Sequence, residues 1–105
     1  MNEDTVRNSE DAARNLLLDC RRRIDVVDRR IVALLNERTR VVEEIGRIKQ
    51  ECGLPIYEPK REDEVYRNVT GSNCGPLPVE SVKRIFERIV DEMRSVQRLR
   101  MEENR

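Results

Sequence analysis

Between Leu17 and Cys52, apolar side chains recur at two positions of a seven-residue repeat. One set reads Leu17, Ile24, Ile31, Arg38, Ile45 and Cys52, with a cation where an aliphatic residue belongs. The other reads Cys20, Val27, Leu34, Val41 and Ile48. A stripe with this spacing is the buried seam of a long helix, which the pattern predicts over Asn15 to Glu51. The opposite face carries Arg22, Arg23, Arg29, Arg30, Asn36, Glu37, Glu43, Glu44 and Gln50, a solvated surface on which Glu43 and Arg47 stand as a favourable i,i+4 pair. Gly53 is expected to end the helix, and Pro55 blocks its continuation.

A second, shorter helix is predicted from Pro59, with Glu58 before it. It carries Arg61, Glu62, Val65 and Val69 and stops before the loop Gly71-Ser72-Asn73-Cys74-Gly75-Pro76. A third starts near Pro78 with the stripe Val82, Ile85, Phe86, Ile89, Val90, Met93, Val96, and then Leu99 or Arg100. No segment alternates as a strand. The fold class is therefore all-α, with one long, one short and one medium helix per chain. Residues 1–14 are polar and aperiodic, and are expected to form a disordered or frayed extension. Residues 15–105 are expected to form one helical domain.

The 105 residues suffice for one small domain. A helix over 15–51 would be roughly 55 Å long, whereas a compact domain of this size is only about 35 Å across. One chain would leave much of the seam wet, and the simplest cover is a second copy in a twofold dimer with the long helices antiparallel.

Charged residues make up 40% of the chain, yet 21 Lys and Arg balance 21 Asp and Glu. A nucleic-acid or membrane surface would need a basic excess, and 3% aromatic content with no Trp gives no base-stacking platform. No apolar run approaches membrane-spanning length, and the polar first residues lack a signal-peptide core. A cytoplasmic location is the resulting expectation. Cys20, Cys52 and Cys74 form neither CxxC nor zinc spacing and are read as reduced thiols packed as small hydrophobes. Without any histidine, imidazole acid–base and Ser-His-Asp catalysis are excluded. An enzyme built from this chain works mainly by charge and shape.

A cation within a seam is costly unless an anion meets it. Arg21 and Lys49 lie on the edge of the same stripe as Arg38, alongside Leu35 and Val42. Lys49 lies roughly 16 Å beyond Arg38 along the axis, close enough for both side chains to touch one small molecule. Arg21 lies roughly 25 Å before Arg38, too far to share a ligand within one chain. In an antiparallel pair crossing near Ile31 and Val32, the partner's Arg21 falls between Arg38 and Lys49. This predicts two equivalent pockets per dimer, each shaped for a dicarboxylate. Each cation also has a purely structural reading. Arg21 belongs to the run Arg21-Arg22-Arg23, and Lys49 can snorkel at a helix end. Arg38 can pair with the partner's Asp28 and fix register. Gln97, one turn after Met93 at a stripe edge, is by itself uninformative.

Over about residues 16–98 the chain resembles the all-helical chorismate mutase family. The resemblance rests on Arg21-x-x-Ile24-Asp25-x-x-Asp28, Leu34-Leu35-Asn36-Glu37-Arg38 and Ile45-Gly46-x-x-Lys49. It continues through Leu54-Pro55-Ile56-Tyr57-Glu58-Pro59-x-Arg61-Glu62 and Ile85-Phe86-x-x-Ile89 with Gln97. It implies an intertwined antiparallel homodimer that converts chorismate to prephenate, toward Phe and Tyr. It also implies that Arg21 reaches across from the partner chain to one substrate carboxylate, while Arg38, assisted by Arg61, holds the other. Lys49 and Gln97 would donate to the ether oxygen of the breaking bond. Glu62, with the backbone near Glu58, would take the ring hydroxyl, and Ile45 and Val90 would line the apolar wall. Residues 15–105 would then be a chorismate mutase-like domain.

The implied reaction is pericyclic and needs no nucleophile, metal, cofactor or obligatory proton transfer, which suits a chain without histidine. The protein must hold the folded, diaxial conformer and stabilise charge growing on the ether oxygen, with Lys49 the leading donor. One departure is Met93, where the family often has a small hydroxyl residue; Arg94 or Ser95 stands nearby to compensate. Two alternatives remain open: an isochorismate pyruvate lyase of the same fold, releasing salicylate, and a non-catalytic helical dimerisation or regulatory module. A plain antiparallel coiled coil would explain the seam but not Lys49, Arg61 and Gln97. The resemblance also allows a partner enzyme of the same pathway.

Overall fold

The computed structural model describes residues 3–103. The first two residues of the expected extension and the last two of the expected domain lie outside them. The chain is all-α, with α1 at Glu3–Cys52, α2 at Pro59–Gly71 and α3 at Val79–Glu103. Among the described residues there is no strand, and no helix is long and apolar enough to cross a membrane.

The chain divides into two compact units, residues 1–37 and residues 38–105, with the boundary inside α1. In the first unit the helix begins at Glu3, well ahead of the expected Asn15, so described residues expected to be disordered or frayed are helical. Glu3 and Asp4 in the first turn suit the positive end of the helix dipole, and Glu10, Ala12 and Ala13 are good helix formers among weaker ones, with neither Gly nor Pro to break the stretch. Favourable end charge and the absence of any breaker therefore let the helix run on where apolar periodicity is silent. Apart from the half-buried Leu35, the unit's described residues are exposed, including Leu17, Ile24, Val27, Ile31 and Leu34 of the predicted seam. Asp19–Arg23 at 3.2 Å and Asp11–Arg14 at 4.0 Å run along its surface.

The second unit holds the end of α1 together with α2 and α3. Its buried apolar side chains are Val42, Val90 and Met93. Three contacts join α1 to α3. Thr39 Oγ1 donates to Met93 Sδ at 3.4 Å, Gln97 Nε2 to the Val42 carbonyl at 3.3 Å, and Arg100 Nε to Glu43 Oε2 at 2.7 Å. The covered face of α1 is therefore Val42, Gly46 and Lys49, with Arg38, Thr39 and Glu43 half-buried beside it. Val41, Ile45 and Ile48 of the predicted seam stay exposed. Glu43, expected on the solvated face beside Arg47, turns instead to Arg100 of α3. Arg100 thus closes the α3 stripe, while Leu99 and Ile85 are exposed. The three cysteines are free and exposed, not packed. Cys20 and Cys52 belong to seam positions that their own chain leaves bare.

Both helix breaks fall where the sequence puts them. Gly53 adopts φ 66°, with its N–H directed to the Gln50 carbonyl at 3.4 Å and the Leu54 N–H to the Lys49 carbonyl at 2.8 Å. This paired pattern is a Schellman cap, which needs a left-handed residue at its turn. Pro59 opens α2 behind Glu58, whose side chain makes no capping bond.

Replacing Gly53 by Ala meets no neighbouring atom, so its cost is the left-handed backbone alone. Gly53→Ala is expected to lower stability by about 1 kcal/mol, read from urea unfolding of both proteins.

Candidate active site

The turn after α1 folds residues 54–58 back onto the helix end they have just left. Lys49 is 7% exposed. Its Nζ donates to the Ile56 carbonyl at 3.1 Å and lies 3.6 Å from Glu58 Oε1. A lysine stem on the inner face of α1 thus ends among oxygens supplied by the α1–α2 connection.

One turn earlier, Gly46 leaves room for α3. A Cβ built there would sit 3.5 Å from Gln97 Cγ, so the glutamine stem lies directly on the glycine. Gln97 is also 7% exposed and donates to the Val42 carbonyl. That carbonyl already serves the helix ladder of α1, so the amide is held as a secondary donor. Far from being solvated, as stripe-edge glutamines usually are, Gln97 is among the most buried polar side chains of the unit.

Arg38 is half-buried, and among the described residues no carboxylate forms an ion pair with it. Burial first, and the Arg61 charge second, hold its pKa below the ordinary arginine value. Arg61 is exposed and pairs within its own helix with Glu64 at 3.4 Å. The Arg61 charge therefore acts on Arg38 although Glu64 partly balances it.

Glu62 meets Arg94 of α3. Arg94 Nη2 donates to Glu62 Oε1 at 3.1 Å, and its Nε lies 3.0 Å from Oε2 as an ion pair without hydrogen-bond alignment. Tyr66 lies nearby, its phenol pushed above the ordinary value by burial first and then by Glu62, Glu87 and Asp91, with Arg94 opposing.

The second unit therefore brings Lys49 together with Glu58, Arg38 with Arg61, Gln97 with Gly46 and Val42, and Glu62 with Arg94. Val90 is buried and Ile45 is 41% exposed. Arg21 belongs to the first unit, where it is exposed. At Met93 the missing hydroxyl is replaced by a contact from α1, since Thr39 Oγ1 reaches the sulfur. The Ser95 hydroxyl bonds back to the Asp91 carbonyl on its own helix. Sequence reading gave no role to Thr39 or Tyr57. Neither carries a periodic signal, and only the motif around Tyr57 marked its neighbourhood.

A family model described as chorismate mutase type II matches residues 20–98. A bifunctional chorismate mutase/prephenate dehydratase of Neisseria gonorrhoeae is 41% identical over 79% of this chain and 22% of its own length. A chorismate mutase of Methanocaldococcus jannaschii is 29% identical over 83% of this chain and 89% of its own. A solved chorismate mutase (form II) of Thermus thermophilus superposes with a TM-score of 0.76 at 40% identity, covering 78% of this chain and 93% of that one. The chain spans about a quarter or less of the length of the bifunctional relatives it matches.

The half-buried charge on Arg38 disfavours the folded state until an anion joins it. Arg38→Met is therefore expected to raise the melting temperature of ligand-free protein, measured by thermal unfolding. A fall would point instead to an anion of a second chain already holding it, with the partner's Asp28 the first suspect.

Proposed function

The chain belongs to the chorismate mutase type II family, and from that premise we propose that it catalyses the rearrangement of chorismate to prephenate as a homodimer. The observation that carries this reading is a pair of almost fully buried hydrogen-bond donors, Lys49 and Gln97, on facing helices. The half-buried cation Arg38 stands on the same face of α1. Lys49 and Gln97 are held by oxygens of their own chain yet keep further N–H groups to offer. The half-buried Arg38 guanidinium has no ion-pair partner among the described residues and is costly to a fold. A doubly negative ligand compensates that cost.

In this reading the substrate binds as a dianion. Arg38, with Arg61 raising the local positive potential, receives one carboxylate. The partner's Arg21 receives the other. Ile45 and Val90 supply an apolar wall that excludes water and limits the substrate to its folded, diaxial conformer, so that the ends of the new C–C bond are held close. As the C–O bond lengthens, negative charge collects on the ether oxygen. The ammonium of Lys49 and the amide of Gln97 donate to that oxygen, and because both are already desolvated they need little reorganisation as the charge develops. Glu62, together with the backbone near Glu58, accepts the ring hydroxyl. No proton changes hands, and the chain's lack of histidine is no handicap.

Support for the dimer comes from the apolar stripe of α1. Leu17, Ile24, Val27, Ile31, Leu34, Val41, Ile45 and Ile48 are all exposed in the single chain. A row of aliphatic side chains in heptad spacing is what a second antiparallel helix covers. Where the sequence reading also allowed a partner enzyme of the same pathway, two-domain relatives join a chorismate mutase to a prephenate dehydratase in one chain. Such an enzyme consumes prephenate and is the natural candidate.

The direct test is loss of chorismate absorbance on adding the purified protein, followed by identification of the product. Prephenate is expected; salicylate from isochorismate would assign the lyase reading instead. Lys49→Ala is expected to reduce kcat by roughly 10²–10³-fold, about 3 to 4 kcal/mol of transition-state stabilisation, with the helical dimer intact by circular dichroism and sedimentation. Near-normal turnover by that variant would remove Lys49 from the mechanism.

A mixture of Arg21→Ala and Lys49→Ala chains tests the shared pocket. Random pairing makes half the dimers mixed, each with one intact site, so about a quarter of the sites should recover activity. Without recovery, each pocket is the work of one chain.

A further inference from the structure

The reading above leaves Arg94 without a task, although it is among the most firmly held side chains of the second unit. Its guanidinium is fixed from three directions. Glu62 of α2 takes it through both carboxylate oxygens, at 3.1 Å and 3.0 Å. Asp91, one turn earlier on α3, accepts from Nη2 at 3.0 Å. The ring of Tyr57, from the α1–α2 connection, lies over it with 5.5 Å between the guanidinium carbon and the ring centre. The Arg94 and Glu62 side chains are only 24% and 18% exposed.

We propose that Arg94 is a positioning residue that aims the Glu62 carboxylate at the ring hydroxyl of the substrate. The proposal rests on the assignment of Glu62 made under the chorismate mutase reading. A glutamate on the first turns of a helix has three rotatable side-chain bonds, and left alone it would sample many directions. Nη2 hydrogen-bonds one carboxylate oxygen while Nε stands 3.0 Å from the other as an ion pair without hydrogen-bond alignment, and this two-point approach restricts the orientation of the group. Each oxygen offers two lone-pair directions, so one on each remains for a donor from the substrate.

The ion-paired carboxylate acts as an acceptor. It therefore favours a ligand that presents a hydroxyl there over one that presents only C–H. Because the clamp also ties α2 to α3 and to the turn carrying Glu58, it keeps this edge of the pocket from drifting relative to Lys49. A purely structural tie would also join α2 to α3, so the test must follow the hydroxyl rather than stability.

The experiment compares kinetics on chorismate and on its analogue with the ring hydroxyl replaced by hydrogen. With chorismate, Arg94→Ala should raise KM about tenfold with kcat little changed, because a contact made equally in ground and transition states is lost. With the deoxy analogue, wild type and Arg94→Ala should have nearly equal kcat/KM. In a double-mutant cycle, adding Arg94→Ala to Glu62→Gln should cost little further, since one acts through the other.

Arg94→Lys keeps the charge without the fork and should show the same pattern with a smaller penalty, which preserves the test if the alanine chain folds poorly. A penalty of equal size on both substrates, or one fully additive with Glu62→Gln, would overturn the assignment of Arg94 alone. A wild-type protein that leaves chorismate untouched would overturn the functional reading and this proposal with it.

Discussion

A lysine ammonium shielded from water must be met by oxygens, and the arrangement of the second unit follows from how Lys49 meets this demand. Leaving such a charge unmet would cost several kcal/mol, a large fraction of the stability of a small domain. The Schellman cap at Gly53 reverses the chain within a few residues and returns the Ile56 carbonyl and Glu58 to the amine. Once Glu58 is fixed, Pro59 starts α2 beside it, and Arg61 and Glu62 follow on its first turns. Glu62 then has Arg94 of α3 as its counter-ion, and α3 is held against α1 with Gln97 lying on Gly46. The polar groups of this interior are therefore not separate acquisitions. They form a chain of satisfied demands that starts from one amine.

The packed interior is correspondingly thin. Val42, Val90 and Met93 are its buried apolar side chains, and no large side chain among the described residues is completely enclosed. A helical unit of this kind holds its elements with charge-assisted contacts between helices, such as Arg100 with Glu43 and Arg94 with Glu62, as much as with burial. Such contacts are directional, which suits a site that must hold donors at set positions.

Much of this was legible in the sequence, and the remainder was hidden for identifiable reasons. Gly53, Pro55 and Pro59 announced the first break, and the Gly71–Pro76 loop announced the second, because glycine and proline act locally on the backbone. The three-helix order followed from apolar spacing. The beginning of α1 did not, since residues 3–14 are helical with favourable end charges and no breaker, features that leave no apolar rhythm. The heptad pattern displays the face that one chain leaves bare, Val41, Ile45 and Ile48, and not the face buried within it, where Val42 and Gly46 meet α3 and Lys49 meets the α1–α2 connection. Two different surfaces of one helix are both patterned, and the sequence displays the longer of them more loudly. Pairings such as Glu43 with Arg100, in place of the nearer Arg47, join residues far apart in the chain and have no periodic signature at all. Lys49 and Gln97 stood out as chemically anomalous for their positions, but the depth of Gln97 depends on a glycine facing it from another helix.

Under the proposed homodimer, the bare aliphatic row on α1 ties this protein's integrity to association. When a second copy supplies the cover, the free energy of folding includes that of association, and the melting temperature climbs with protomer concentration. In that proposal dilution would separate the copies and withdraw the partner's Arg21 from the site together.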